Sequence, residues 1–116
     1  MTQTPAEFIN SMPATETFGM EVTHAAEGRA TARLAFQEAF CFDAGDTPVL
    51  HGAATFALAD NVGAAAVISH FEEPQPAYTI DLRIDYLDAA RTALTAEAEV
   101  LRFGRVVGVA DIVVED

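Results

Sequence analysis

The stretch from His51 to Ile68 constrains this chain more than any other. It reads as one long helix, apolar on nearly every side, with a His-Gly pair at its start and a single carboxylate, Asp60, partway along. A helix that is hydrophobic all round has to be wrapped by other structure. Holding Asp60 inside that wrapping costs free energy unless the charge is solvated, paired or neutralised, and carboxylates placed at such a cost are candidates for chemistry. Two plainer readings fit the same residues. Asp60-Asn61 suits the start of a second, shorter helix after a break, since both residue types favour N-caps. Asp60 also suits a solvated strip along one continuous helix.

The rest of the chain supplies material for the wrapping. Residues 29–36 alternate, with Ala30, Ala32, Leu34 and Phe36 on one face and Arg29, Thr31 and Arg33 on the other. Thr79 to Leu87 is the clearest strand: Ile80, Leu82, Ile84 and Tyr86 point one way, Asp81, Arg83 and Asp85 the other. A further alternating run covers 93–103, Gly104 makes a turn, and Val106 to Val114 returns as a strand. Phe18 to His24 is an earlier strand, followed by a turn at Glu27-Gly28. Residues 6–12 suit a short helical turn, and Phe40 to Leu50, with Asp43, Gly45, Asp46 and Pro48, reads as a loop. The order is therefore strand, strand, long helix, three strands, and the tight glycine turns favour an antiparallel meander. Helix and half-buried sheet each hide the other's apolar surface if the sheet curls around the helix. The expected fold is α+β: one domain over residues 1–116, a single antiparallel sheet on a central helix, with residues 1–17 peripheral.

Composition narrows the partners. Six arginines and no lysine face 18 acidic residues, for a net charge of -12. Nucleic acid and anionic membrane surfaces both need basic patches, so neither is an expected partner. Any anionic ligand has to be met locally, by arginine or by helix-end amides. The apolar part of the helix is shorter than the roughly 20 residues that span a bilayer and contains Asp60 and Asn61. Met1 to Ser11 carries Glu7 and no positive charge ahead of an apolar run, unlike a signal peptide. Cys41 is the only cysteine, which rules out an internal disulfide, suits a reducing cytoplasm, and reads as a small hydrophobe more than a nucleophile. His24 and His70 lack metal-site spacing to each other or to acid pairs, and no metal or other cofactor is expected. His51 either shapes a site at the helix mouth or bonds backbone there.

Three segments in order resemble the hotdog-fold acyl-CoA thioesterases, in particular the PaaI-like branch named for the phenylacetate-degradation thioesterase. Leu50-His51-Gly52-Ala53 with Asp60 is similar to that branch's His-Gly-Gly start and its Asp nine residues beyond the His. Thr79 to Leu87 with Ala89-Ala90-Arg91 resembles the strand after the helix and its turn, and Glu97 to Val114 resembles the next hairpin. The resemblance implies a homodimer, often paired into a tetramer, with acyl-CoA sites shared across the dimer interface. It implies Asp60 as general base or nucleophile, the Gly52 N–H as oxyanion donor with His51 beside it, and Thr79 orienting the carboxylate or the water. Arg91, Arg102 and Arg105 are candidates for the phosphates of coenzyme A; ordinary pairing with Asp88, Glu97 or Glu99 is the alternative. The chain departs from the family in three places. No Asn lies between Ala39 and Leu50, where many members have one and where Asp43 or Asp46 are the substitutes at hand. Ala53 stands for the second Gly, and the sequence stops at Asp116, so the sheet is expected one strand short with an edge to be covered.

The expected function is a cytoplasmic acyl-CoA thioesterase. Asp60 lies about 12 Å along the helix from Gly52 at the usual rise per residue, too far for both to grip one carbonyl from the same helix. A hotdog protein that binds an acyl thioester without cleaving it is the alternative. A hotdog dehydratase fits less well, for want of the expected His and acid arrangement.

Overall fold

The computed structural model describes residues 3–116. Two short helices, α1 (Pro5–Asn10) and α2 (Pro13–Thr17), lead into β1 (Met20–Ala26) and β2 (Arg29–Leu34). A single 3-10 turn then precedes β3 (Cys41–Ala44), β4 (Thr47–Leu50), the long α3 (Gly52–Ile68), β5 (Leu94–Phe103) and β6 (Gly108–Glu115). The main sheet is antiparallel in the order β1-β2-β5-β6, and α3 lies across it. This is the hotdog arrangement, a sheet laid on one long helix.

Helix α3 runs without a break through Asp60 and Asn61, so the two-helix reading of that stretch does not hold. Its buried residues, from Ala54 and Leu58 through Val62 and Ala66 to Ile68, occupy more of its circumference than an amphipathic stripe. The sheet meets them with small side chains. Ala30 of β2 stands opposite Ala98 of β5, and Ala32 opposite Ala96, all four buried. That alanine floor lets the helix come close, so that a Cβ on Gly63 would stand 2.8 Å from Cδ1 of Ile112 on β6. Leu34, Leu58, Val62 and Leu94 fill what remains. The β1–β2 turn puts both Glu27 and Gly28 at positive φ, 53° and 79°, the backbone that matches strand twist in a two-residue hairpin.

The N-terminal segment, expected to be peripheral, contributes to the core; its first two residues lie outside the described ones. A capping box between Thr4 and Glu7 starts α1, and Ile9 is 2% exposed against the main cluster. Buried Thr15 donates to the Ile9 carbonyl and accepts from the Asn61 amide, tying α2 to α3. Asn10 makes two bonds to one residue of β1: its Oδ1 accepts from the Val22 N–H at 2.8 Å and its Nδ2 donates to the Val22 carbonyl at 2.9 Å.

Two expectations are corrected. Residues 40–50 form a hairpin rather than a loop, with β3 and β4 paired through Ala44 and Thr47 around Gly45. Thr79 to Leu87 forms no strand among the described residues, and Ile80 is 79% exposed and Leu87 93%. Side-chain alternation fixes which way residues face; a strand also needs a neighbour for its backbone groups, and this segment has none within one chain. The observed order is thus four strands, the helix and two strands. Among the described residues, no helix is long and apolar enough to cross a membrane.

Candidate active site

The mouth of α3 is assembled from three directions. The His51 N–H donates to the Phe40 carbonyl at 2.8 Å and the Leu50 N–H to the Ala90 carbonyl at 2.9 Å, which fixes the chain as it enters the helix. His51 is the N-cap, and its Nδ1 accepts from the Ala53 N–H at 3.0 Å. The ring stands edge-on to Phe42 across the β3–β4 hairpin. Of the two sequence readings of His51, the backbone bond at the helix start is the one observed. Among the described residues, no acceptor is paired with the Gly52 N–H. That amide lies at the positive end of a 17-residue helix dipole, where developing negative charge is stabilised.

Gly52 is overlain by a residue that sequence reasoning assigned only to the apolar face of a strand. Tyr86 Oη donates to the Gly52 carbonyl at 2.9 Å, and a Cβ on Gly52 would lie 3.2 Å from the Tyr86 ring. Its place in an alternating run gave no sign of this, because alternation reports a face and not the partner met there.

Two turns along α3, Asp60 is half-buried. Its Oδ1 accepts from Thr79 Oγ1 at 2.5 Å, within the range of a hydroxyl bound to a carboxylate. Its neighbour Asn61 turns the other way, to Thr15. One residue of the pair is thus tied to the N-terminal segment and the other faces the segment that follows the helix. That following segment is fastened to α3 at Thr79 by Asp60 and at Tyr86 by Gly52.

The three arginines are not brought together within one chain. The Arg91 N–H donates to Asp116 Oδ2, in the stretch where Ala90 meets Leu50 at the helix mouth. Arg102 and Arg105 flank the β5–β6 turn at the opposite end of α3, where Phe103 packs on His70 and Phe71 and Gly108 on Val67. The ion pairs among the described residues are Arg29–Glu99, Arg33–Glu21 and Arg83–Asp85, so the alternative pairing of Arg91, Arg102 and Arg105 with Asp88, Glu97 or Glu99 is not found. Asp43 and Asp46 are exposed near the tip of the β3–β4 hairpin. The Cys41 thiol, half-buried and directed at the Gln37 carbonyl, is raised above its ordinary value by burial and then by the Glu38 and Asp43 carboxylates. A thiol so raised is a poor nucleophile. A hollow of about 240 Å³ between Thr23, Thr31 and Thr95 lies on the outer face of the sheet, away from α3.

Comparison with known proteins places this arrangement. The family model described as the thioesterase superfamily matches residues 47–116, from β4 through α3 to the end of β6. The chain belongs to the thioesterase superfamily. It is 37% identical over 96 residues to a Halobacterium salinarum protein whose name proposes an esterase, a match over 81% of this chain and 64% of that one. The chain therefore spans less than two thirds of that relative. A thioesterase structure from Haemophilus influenzae superposes with a TM-score of 0.81 at 26% identity, covering 98% of this chain and 80% of the other. The E. coli PaaI protein, from the phenylacetic acid degradation operon, superposes with a TM-score of 0.78 at 25% identity, covering 92% and 75%. The PaaI-like likeness seen in the His-Gly and Asp60 segments thus extends to the whole fold of this superfamily member.

Proposed function

We propose that this chain is an acyl-CoA thioesterase, a single cytoplasmic hotdog domain over residues 1–116 that works as a homodimer or a pair of dimers. The observation that carries the reading is the pairing of Thr79 with a half-buried Asp60 on the same helix whose first amide, Gly52 N–H, has no acceptor among the described residues. Hydrolysis of a thioester requires a base for water and a donor for the developing oxyanion, and α3 carries one of each. Their separation, about 12 Å along one helix, assigns them to different sites. Asp60 of one subunit acts with the Gly52 mouth of the other.

In this reading Asp60 takes a proton from water as the water oxygen attacks the thioester carbonyl. The carbonyl oxygen becomes an oxyanion held by the Gly52 N–H, with His51 fixing the turn around it. Collapse of the tetrahedral intermediate breaks the C–S bond, and the departing thiolate recovers the proton from Asp60. Thr79, donating to Oδ1, leaves Oδ2 for the water. If Asp60 acts instead as nucleophile, its oxygen forms a mixed anhydride with release of the thiolate, and water then cleaves the anhydride; ¹⁸O found in Asp60 after a single turnover in ¹⁸O-water establishes that route, through attack of water on the aspartyl carbonyl. Arg91, Arg102 and Arg105, whose guanidinium groups make no ion pair among the described residues, are the groups proposed to meet coenzyme A phosphates on a chain of charge -12.

The test is thiol release from short, medium, long and aryl acyl-CoAs, phenylacetyl-CoA among them, with Asp60→Asn in parallel. Loss of at least a hundredfold in the variant is the expected result. Parental turnover in Asp60→Asn refutes the assignment. Tight binding without turnover by the parent establishes the acyl-CoA-binding alternative, a sensor or carrier.

A further inference from the structure

We propose that Tyr86 is a positioning residue for the helix mouth, a role that rests on the thioesterase reading for its catalytic effect but has a structural signature of its own. The peptide joining Gly52 to Ala53 is held at both ends by side chains. Its carbonyl accepts from Tyr86 Oη at 2.9 Å, and its N–H donates to His51 Nδ1 at 3.0 Å. Phenol and imidazole together form a clamp across one peptide plane.

The clamp answers a difficulty built into the site. Glycine leaves room here for the Tyr86 ring, on which a Cβ would press at 3.2 Å. Glycine also has the freest backbone of any residue, and at a helix terminus it lacks the preceding turn that would restrain it. An oxyanion donor is effective when its direction is fixed before the charge develops. The unpaired Gly52 N–H lies one peptide before the clamped plane, so fixing that plane limits the rotation that would swing the amide. Tyr86 adds a second donor to a carbonyl that, as the first of α3, otherwise has only its intrahelical bond.

Tyr86 also makes the mouth depend on the segment that follows α3. That segment meets α3 at its other end through Thr79 and Asp60. The carboxylate and the amide donor, which lie too far apart to serve one carbonyl, are thereby oriented by a single piece of chain.

Tyr86→Phe keeps the ring over Gly52 and removes only the donor. The experiment measures kcat and KM of the full chain on its best acyl-CoA, together with hydrogen exchange of the Ala53 amide by NMR. The expected result is a roughly tenfold fall in kcat with KM within about twofold, and roughly tenfold faster exchange at Ala53 with other α3 amides unchanged. A parental kcat, or parental exchange at Ala53, overturns the proposal. An even rise in exchange along the whole of α3 overturns it too, since that reports general loosening. Should the parent cleave no thioester, the thioesterase reading fails on that result, and Ala53 exchange in Tyr86→Phe still decides the clamp.

Discussion

Replacing Gly63 with alanine sets two opposed effects against each other at the point where α3 and β6 come closest. Alanine in a helix interior is favoured over glycine by about 0.5–1 kcal/mol. Against this, the new Cβ would stand 2.8 Å from Ile112 Cδ1, with Ile112 Cγ1 next at 3.7 Å. The obstructing atom is a terminal methyl on a half-buried side chain, so χ2 of Ile112 can turn away; a displaced rotamer costs about 0.5–1.5 kcal/mol. The two effects nearly cancel, and Gly63→Ala is expected within about 1 kcal/mol of the parent. Ile112→Val removes the methyl. In that background the helix gain is unopposed, and Gly63→Ala stabilises by about 0.5–1 kcal/mol. Urea unfolding of the four proteins gives the coupling between the sites directly, provided their m values agree. A loss above about 2 kcal/mol in both backgrounds refutes the reasoning, for it would mean that backbone and not a movable methyl sets the approach of helix to sheet.

Two other perturbations test features away from the mouth. Asn10→Ala strips both partners from the Val22 peptide groups and is expected to cost about 1–3 kcal/mol in urea unfolding, whereas a loss below a few tenths would mean that water replaces the amide without penalty. Because the Cys41 thiol is raised, its thiolate fraction at any given pH is smaller than that of free cysteine. Iodoacetamide is therefore expected to label it more slowly than free cysteine at pH 8, with the rate rising at higher pH than usual; labelling at the free-cysteine rate contradicts the shift.

The parts legible in the sequence are those whose signal is local. The continuous apolar run of α3, the alternation of β2 and β5 and the Glu27-Gly28 turn each depend on a few neighbouring residues, and each is found where it was expected. The β3–β4 hairpin was hidden because its strands are short and its turn residues, Asp43, Gly45, Asp46 and Pro48, dominate the window. The segment from Thr79 to Leu87 failed for a different reason. Its pattern is that of a strand, but pairing is a property of two segments, and the second is not in reach. At the site, Asp60, Gly52, His51 and Thr79 were all singled out by the sequence, and the structure joins Asp60 to Thr79 and His51 to the first turn of α3. Tyr86 escaped notice because an aromatic among Ile80, Leu82 and Ile84 reads as core, and its hydroxyl meets a carbonyl that only the folded chain brings near.

The bond pair between Asn10 and Val22 bears on the two margins of the sheet. A sheet normally ends in two open margins, and units with two sticky margins can add to one another without limit. Here the β1 margin is already occupied, since the Asn10 amide sits where the backbone of a neighbour would and α1 lies alongside. The β6 margin, bonded only to β5, is the one that remains. At Val22 a strand seeking to extend the sheet would first have to displace a side-chain amide placed twelve residues ahead of the position it guards.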